Sequence, residues 1–188
     1  MTGRFGAVDV HYLPEGRARA ALVVCPTPAF GEVTEERTVL VDGVAEYRPG
    51  NFYERELPPM RALLAAGTVE PLDLLVVDGY VTLDPEGRPG LGAHAHQAGL
   101  APVVVGVAKT RFAAATHAIE VTRGASSRRP LYVTALGLPP DEAAQMVRDM
   151  AGEARFPDAL RRVDRLARSG DPARDPIRGQ YRASARSA

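Results

Sequence analysis

The hydrophobic pattern of the chain is organised around residues 72–79. Leu74, Leu75, Val76 and Val77 follow one another without polar alternation, then come Asp78 and Gly79. An unbroken apolar run predicts a strand covered on both faces, as in a parallel sheet. Residues 103–107 repeat the pattern, with Val103, Val104, Val105 and Val107 leading to Ala108 and Lys109. Upstream, residues 5–12, 19–25 and 32–41 read as three strands joined by short polar turns, an antiparallel meander. Leu57, Met60, Leu63 and Leu64 recur at helical spacing through residue 66. Pro58 and Pro59 fit a helix only near its first turn, which predicts that Glu56 lies close to the helix start. Residues 79–99, rich in Gly, Pro and His, read as a long loop leading into a short helix. Two weaker strands are predicted at 116–122 and 131–135. Pro139 and Pro140, followed by Asp141 and Glu142, open another helix, and residues 157–168 form a last one with Leu160, Val163 and Leu166 on its apolar stripe.

A meander, a helix and then a buried strand predict a right-handed crossover that lays the new strand parallel beside the first. The expected fold class is α/β: a mixed five-stranded sheet, three antiparallel strands followed by two parallel ones, flanked by helices. The crossover makes Asp9, inside the first strand, a neighbour of Asp78, at the end of the fourth. The helix above them brings Glu56 to the same place. An Asp inside a strand is disfavoured by propensity and costly if buried without a partner.

Composition adds limits. A chain of 188 residues, 45% hydrophobic and 24% charged, is long enough to bury a core, and one domain over residues 1–168 is expected. No apolar run has the length of a membrane span, and the first residues do not read as a signal peptide, so a cytoplasmic protein without a membrane partner is expected. The single cysteine, Cys25, excludes an internal disulfide framework and a cysteine zinc cluster. With 23 basic and 23 acidic residues the net charge is zero, which by itself offers nothing toward nucleic acid. The balance is local, however. Residues 155–188 hold nine Arg against four Asp, and 169–188 read as a basic tail without regular structure. Of the 23 basic residues 22 are Arg, so Lys109 is the only lysine, and it ends the strand beside Asp78.

Three carboxylates gathered on a sheet repel one another and raise each other's pKa. A divalent cation resolves that conflict, and an all-oxygen set favours Mg²⁺ or Mn²⁺ over zinc. Such a site suits in-line attack on a phosphodiester, with a lysine neutralising the non-bridging oxygens. His94 and His96, one residue apart, fit a strand face better than a helix. With no third nitrogen or sulfur ligand in sight, they are assigned to a loop or an outer shell.

Val8-Asp9-Val10, then Tyr47, Pro49, Gly50 and Glu56, then Val77-Asp78-Gly79, then Val105-Gly106-Val107-Ala108-Lys109 resemble, in order and spacing, the motifs of the endonuclease V family. The resemblance spans most of residues 5–168. It implies a ribonuclease-H-like fold and an Mg²⁺-dependent nuclease, with Mn²⁺ as a substitute, acting on DNA or RNA that contains deoxyinosine or inosine. It implies cleavage at the second phosphodiester 3′ to that base, leaving 3′-hydroxyl and 5′-phosphate ends. Asp9, Glu56 and Asp78 would be metal ligands and Lys109 a phosphate contact. Tyr47, beside Pro49, would be the wedge that fills the gap when a base is flipped out, and Gly50 and Gly79 would line the base pocket. An Ala-Ser-His stretch of the family is partly kept as Ala95-His96, which puts His96 at the nucleic acid. The family's downstream histidine near the metal corresponds to Asp164, a further candidate ligand.

The chain departs from the family pattern at Asp84-Pro85, where His-Pro is usual, in three extra residues before Leu91-Gly92, at residues 157–161, and in lacking the helix that precedes the first strand. These changes bear on substrate choice more than on metal binding. Two further readings stay open: a nucleic-acid-binding protein on this fold with little or no catalysis, and a phosphodiester hydrolase with another base preference. A monomer without an obligate protein partner is expected.

Overall fold

The computed structural model describes residues 3–43, 52–65, 70–124 and 127–169. Tyr47, Pro49, Gly50 and the basic tail beyond residue 169 lie outside them. Among the described residues the elements run β1 (Phe5–Leu13), β2 (Arg17–Cys25), β3 (Glu35–Val41), α1 (Phe52–Ala65), β4 (Leu74–Asp78), α2 (Leu91–Gln97), β5 (Val104–Ala108), β6 (Ile119–Val121), β7 (Leu131–Leu136), α3 (Pro140–Asp149) and α4 (Asp158–Ser169).

The strands form one mixed sheet in the order β3-β2-β1-β4-β5-β7-β6. β1, β2 and β3 are the antiparallel meander, and β4 lies parallel to β1 after the α1 crossover, as the pattern predicts. β5 continues parallel to β4. The sheet has seven strands where five were expected, because the two weak segments join it. β7 pairs antiparallel with β5, and β6 pairs with the far side of β7. β5 is buried along its whole length, so its outer edge needs a partner as much as its inner one.

Strand alternation divides the core into two layers. On one face Ala7, Val23, Val76, Val105 and Val133 pack with Val147 of α3 and Leu160 and Val163 of α4. On the other, Val8, Leu22, Leu75 and Val77 pack with Met60 and Leu63 of α1 and Ala93 of α2. Leu22, Leu63 and Leu75 are fully buried, each contributing about 1.5–3 kcal/mol.

Helix α1 corrects the expected helix start. It begins at Phe52, and Pro58 and Pro59 stand inside it rather than in its first turn. Neither proline can donate to the carbonyl four residues back, a local cost of roughly 3 kcal/mol each. The apolar face of α1, Met60 and Leu63 included, packs on the sheet and carries the helix through them, so tertiary packing overrides the helix rule. Glu56 therefore sits in the second turn. His94 and His96, expected on a strand or loop, lie on α2.

Candidate active site

The cleft opens where β1 and β4 part. Their parallel pairing runs from Phe5↔Leu74 to Val8↔Val77. The next residues are Asp9 and Asp78. By alternation, both project on the side of Ala7 and Val76, toward α4. β1 continues past this point, still paired with β2, through to Leu13. Asp9 thus lies inside a strand but at the mouth of a notch, which explains an acid at a position that propensity disfavours.

Asp78 is held by its neighbour across the sheet. Lys109, just after β5, donates from Nζ to Asp78 Oδ2 at 2.7 Å. The lysine is itself fixed on two sides. Its ammonium lies 4.3 Å from the centre of the Phe156 ring, and its carbonyl accepts a bond from Arg155 Nη2 at 2.6 Å. The loop beyond Asp78 is set by Gly79, whose φ of 143° favours glycine. It is set again by Thr134 of β7, whose hydroxyl accepts the Val81 N–H at 2.8 Å. Gly106 of β5 makes room for this turn. A Cβ there would come 2.5 Å from the Gly79 carbonyl oxygen.

Glu56 comes over the opposite face from α1 and is 6% exposed. Tyr12, near the end of β1, donates to its Oε1 at 2.6 Å. The Arg55 guanidinium lies over the Tyr12 ring, 3.8 Å from its centre. A fourth carboxylate, Asp164, reaches the cleft from α4 with Arg168, which donates to Asp164 Oδ1 at 3.0 Å. Together Asp9, Tyr12, Glu56, Asp78, Lys109, Asp164 and Arg168 line a cleft of about 310 Å³.

The electrostatics follow from this crowding. Burial, then the charges of Asp78 and Asp164, push Asp9 up from its ordinary value to about 7, against the Val10 backbone and Lys109. Burial pushes Glu56 up to about 8, with Asp9 and Asp78 adding to it and the Tyr12 bond and Arg55 opposing. Asp164 is also raised by burial, but its bond and ion pair with Arg168 prevail and hold it below the usual range. Near neutral pH Glu56, and Asp9 in part, are held toward the protonated form, and a bound cation would take the place of those protons. Oxygen donors of this kind are those that hard divalent cations take. Yet among the described residues no three of the acids stand close enough together to cage a metal ion as placed. They come from two faces of the sheet, and the carboxylates of Asp78 and Glu56 are turned toward Lys109 and Tyr12.

Of the residues singled out from the sequence, Asp9, Glu56, Asp78, Lys109 and Asp164 come together here. Gly79 adjoins the cleft without lining it. His96 lies on α2, away from the acids, while His94 stacks on Tyr53 with ring centres 3.6 Å apart. Tyr12, Arg168 and Arg155 are absent from that reading. Tyr12 projects on the opposite face of β1 from Asp9, so only the position of α1 brings it to Glu56. Arg168 sits in an Arg-rich helix, and its place four residues after Asp164 is the signal that could have found it.

The sheet order and the crossover define a ribonuclease-H-like mixed α/β fold, with the acid-lined cleft where β1 and β4 part. The chain belongs to the endonuclease V family, whose profile, described as Endonuclease V, matches residues 2–137. That stretch covers β1 to β7 and holds Asp9, Glu56, Asp78 and Lys109, while Asp164 and Arg168 lie beyond it. The structure is similar to the endonuclease V of Streptomyces avermitilis, with 27% identity, TM-score 0.72, and 97% of this chain and 83% of that one covered. It shares its fold with the Ciona intestinalis enzyme, solved in complex with a 23mer DNA containing an inosine followed by a ribo-adenosine. That likeness has 18% identity, TM-score 0.74, and 89% and 85% of the two chains covered. The catalytic domain of human endonuclease V shares the fold too, at 23% identity, TM-score 0.70, and 89% and 82% covered. No curated protein sequence matches the chain. Among the described residues no helix is long and apolar enough to cross a membrane.

Proposed function

We propose that this protein is a divalent-metal-dependent endonuclease that recognises deoxyinosine or inosine in DNA or RNA. It hydrolyses the second phosphodiester on the 3′ side, leaving a 3′-hydroxyl and a 5′-phosphate. The observation that carries this reading is the meeting of Asp9, Glu56 and Asp78, from three separate elements, with Lys109 in one cleft. The donor set fits Mg²⁺, with Mn²⁺ as a substitute. Asp9, Glu56 and Asp78 would hold the cation, and Asp164 would offer a further oxygen. When bound, it supplies Lewis acidity at the scissile phosphate and offsets the charge that builds there.

The chain's own residues do the rest. Lys109 sits at the rim, 40% exposed, where its ammonium can turn from Asp78 to a non-bridging phosphate oxygen. Tyr47 would be the wedge for a flipped base, with Pro49 beside it in the chain; Gly50 and Gly79 would present backbone groups to that base, and His96 would contact the strand. The inosine preference rests on family membership and on the inosine-containing DNA bound by the Ciona enzyme. A second reading, binding with little cleavage, is favoured by two observations: Asp78 is already paired with Lys109, and no three described acids form a ready cage.

The two separate on labelled oligonucleotides with and without a single inosine, in Mg²⁺ or Mn²⁺. Inosine-dependent nicking that Asp78→Asn abolishes supports the proposal. Binding without nicking at high enzyme concentration would favour the second reading, and nicking indifferent to inosine would overturn the base preference.

A further inference from the structure

The cleft holds one polar contact that neither the sheet geometry nor the phosphate chemistry requires. Tyr12 donates to Glu56 Oε1 at 2.6 Å, a short O–H···O bond. Glu56 is buried on a helix, with three side-chain torsions to be set before its carboxylate points anywhere useful. Tyr12 is well placed to set them. Its ring packs on the α1 face of the core, and the Arg55 guanidinium covers it at 3.8 Å. A phenol so held is a rigid donor that occupies one oxygen of Glu56 and leaves the other outside that bond.

We propose that Tyr12 is a positioning residue for the cation site: by holding Glu56 through Oε1 it commits the second oxygen of that carboxylate to the cleft. The inference rests on the metal-dependent reading above and deepens it. The acids arrive from two faces of the sheet and do not form a cage as placed, so affinity for a cation depends on how many torsions are already set. Glu56 is the acid that reaches across from the other face, and the sheet does not impose its orientation. Groups that orient a metal ligand in this way typically change affinity or activity by about 10–100-fold when removed.

The substitution that tests this is Tyr12→Phe, which keeps the ring and removes the donor. Calorimetric titration with Mn²⁺ alone is expected to show affinity reduced by about 10–100-fold. Thermal unfolding in a chelator should be close to wild type. Nicking should fall at low Mn²⁺ and return at saturating Mn²⁺, with KM for the oligonucleotide unchanged there. A merely structural role would lower the melting temperature and depress kcat at every metal concentration, and would overturn the proposal. So would a Tyr12→Phe protein that takes up Mn²⁺ as tightly as wild type. Tyr12→Met, apolar and without a donor, carries the same expectation if the Phe variant does not fold. A wild-type protein that neither takes up Mn²⁺ nor nicks would instead overturn the metal-dependent reading itself.

Discussion

Replacing Glu56 with Gln should stabilise the metal-free protein at high pH while abolishing nicking. Glu56 is buried and its carboxyl is pushed from an ordinary value of 4.5 up to about 8 by burial and by Asp9 and Asp78. Between those two pH values the folded protein keeps a proton that the unfolded chain has lost. The stability contributed by this group is therefore complete below pH 4.5 and is lost as pH rises through about 8. At about 1.4 kcal/mol for each pH unit, the gap sets a ceiling of roughly 5 kcal/mol. Relaxation and water entry lower it, and roughly 2 kcal/mol is a reasonable floor. Gln keeps the shape and an oxygen to accept the Tyr12 bond, but carries no charge to desolvate. In a chain of this size 2 kcal/mol corresponds to about 4–8 °C. Thermal unfolding in a chelator should give the two proteins equal melting temperatures near pH 4.5 and place Glu56→Gln at least about 4 °C higher near pH 9. Added Mn²⁺ should then raise wild type at pH 9 more than the variant. Melting temperatures that run parallel across the range, or a variant less stable at pH 9, would refute the desolvation account.

Two further substitutions probe the cleft from either side. Gly106→Ala drives a Cβ to 2.5 Å from the Gly79 carbonyl oxygen and 2.8 Å from the Val81 nitrogen, both backbone atoms. It should cost about 1–3 kcal/mol in denaturant unfolding and reduce nicking, because the turn after Asp78 must move; unchanged stability would show that the turn is slack. Lys109→Gln removes a pair at the cleft rim, with Lys109 exposed and Asp78 half-buried, so the melting temperature should shift by no more than about 1 kcal/mol allows. Its effect should appear in oligonucleotide binding, where the slope of log affinity against log salt falls by about one; an unchanged slope would rule out a phosphate contact.

Much of the fold was legible in the chain because its strands are buried on both faces, and full burial leaves continuous apolar runs. The handedness of the crossover then placed Asp78 beside Asp9 without any coordinate. The two added strands were visible as weak segments, but their place was not. That β7 enters between β5 and β6 depends on the apolar outer edge of β5, which no local pattern reports. Pro58 and Pro59 stand inside α1 for a related reason: their local penalty is met by packing of the helix on the sheet, which no local pattern reports.

The site divides in the same way. The sequence by itself determined that Asp9, Glu56, Asp78 and Lys109 meet, because strand order and the α1 crossover follow from chain-local signals; Asp164 entered through the family resemblance. Only the tertiary structure decided how they are held. Tyr12 reaches Glu56 because α1 lies over the face of β1 opposite Asp9. Arg168 holds Asp164 within α4, as an i, i+4 pair, and the pair reaches the cleft because α4 crosses the other face. Phe156 and Arg155, from the segment before α4, fix Lys109. What brings these groups to one cleft is how helices settle on a sheet, and that settling is decided by packing of the whole core rather than by any stretch of sequence.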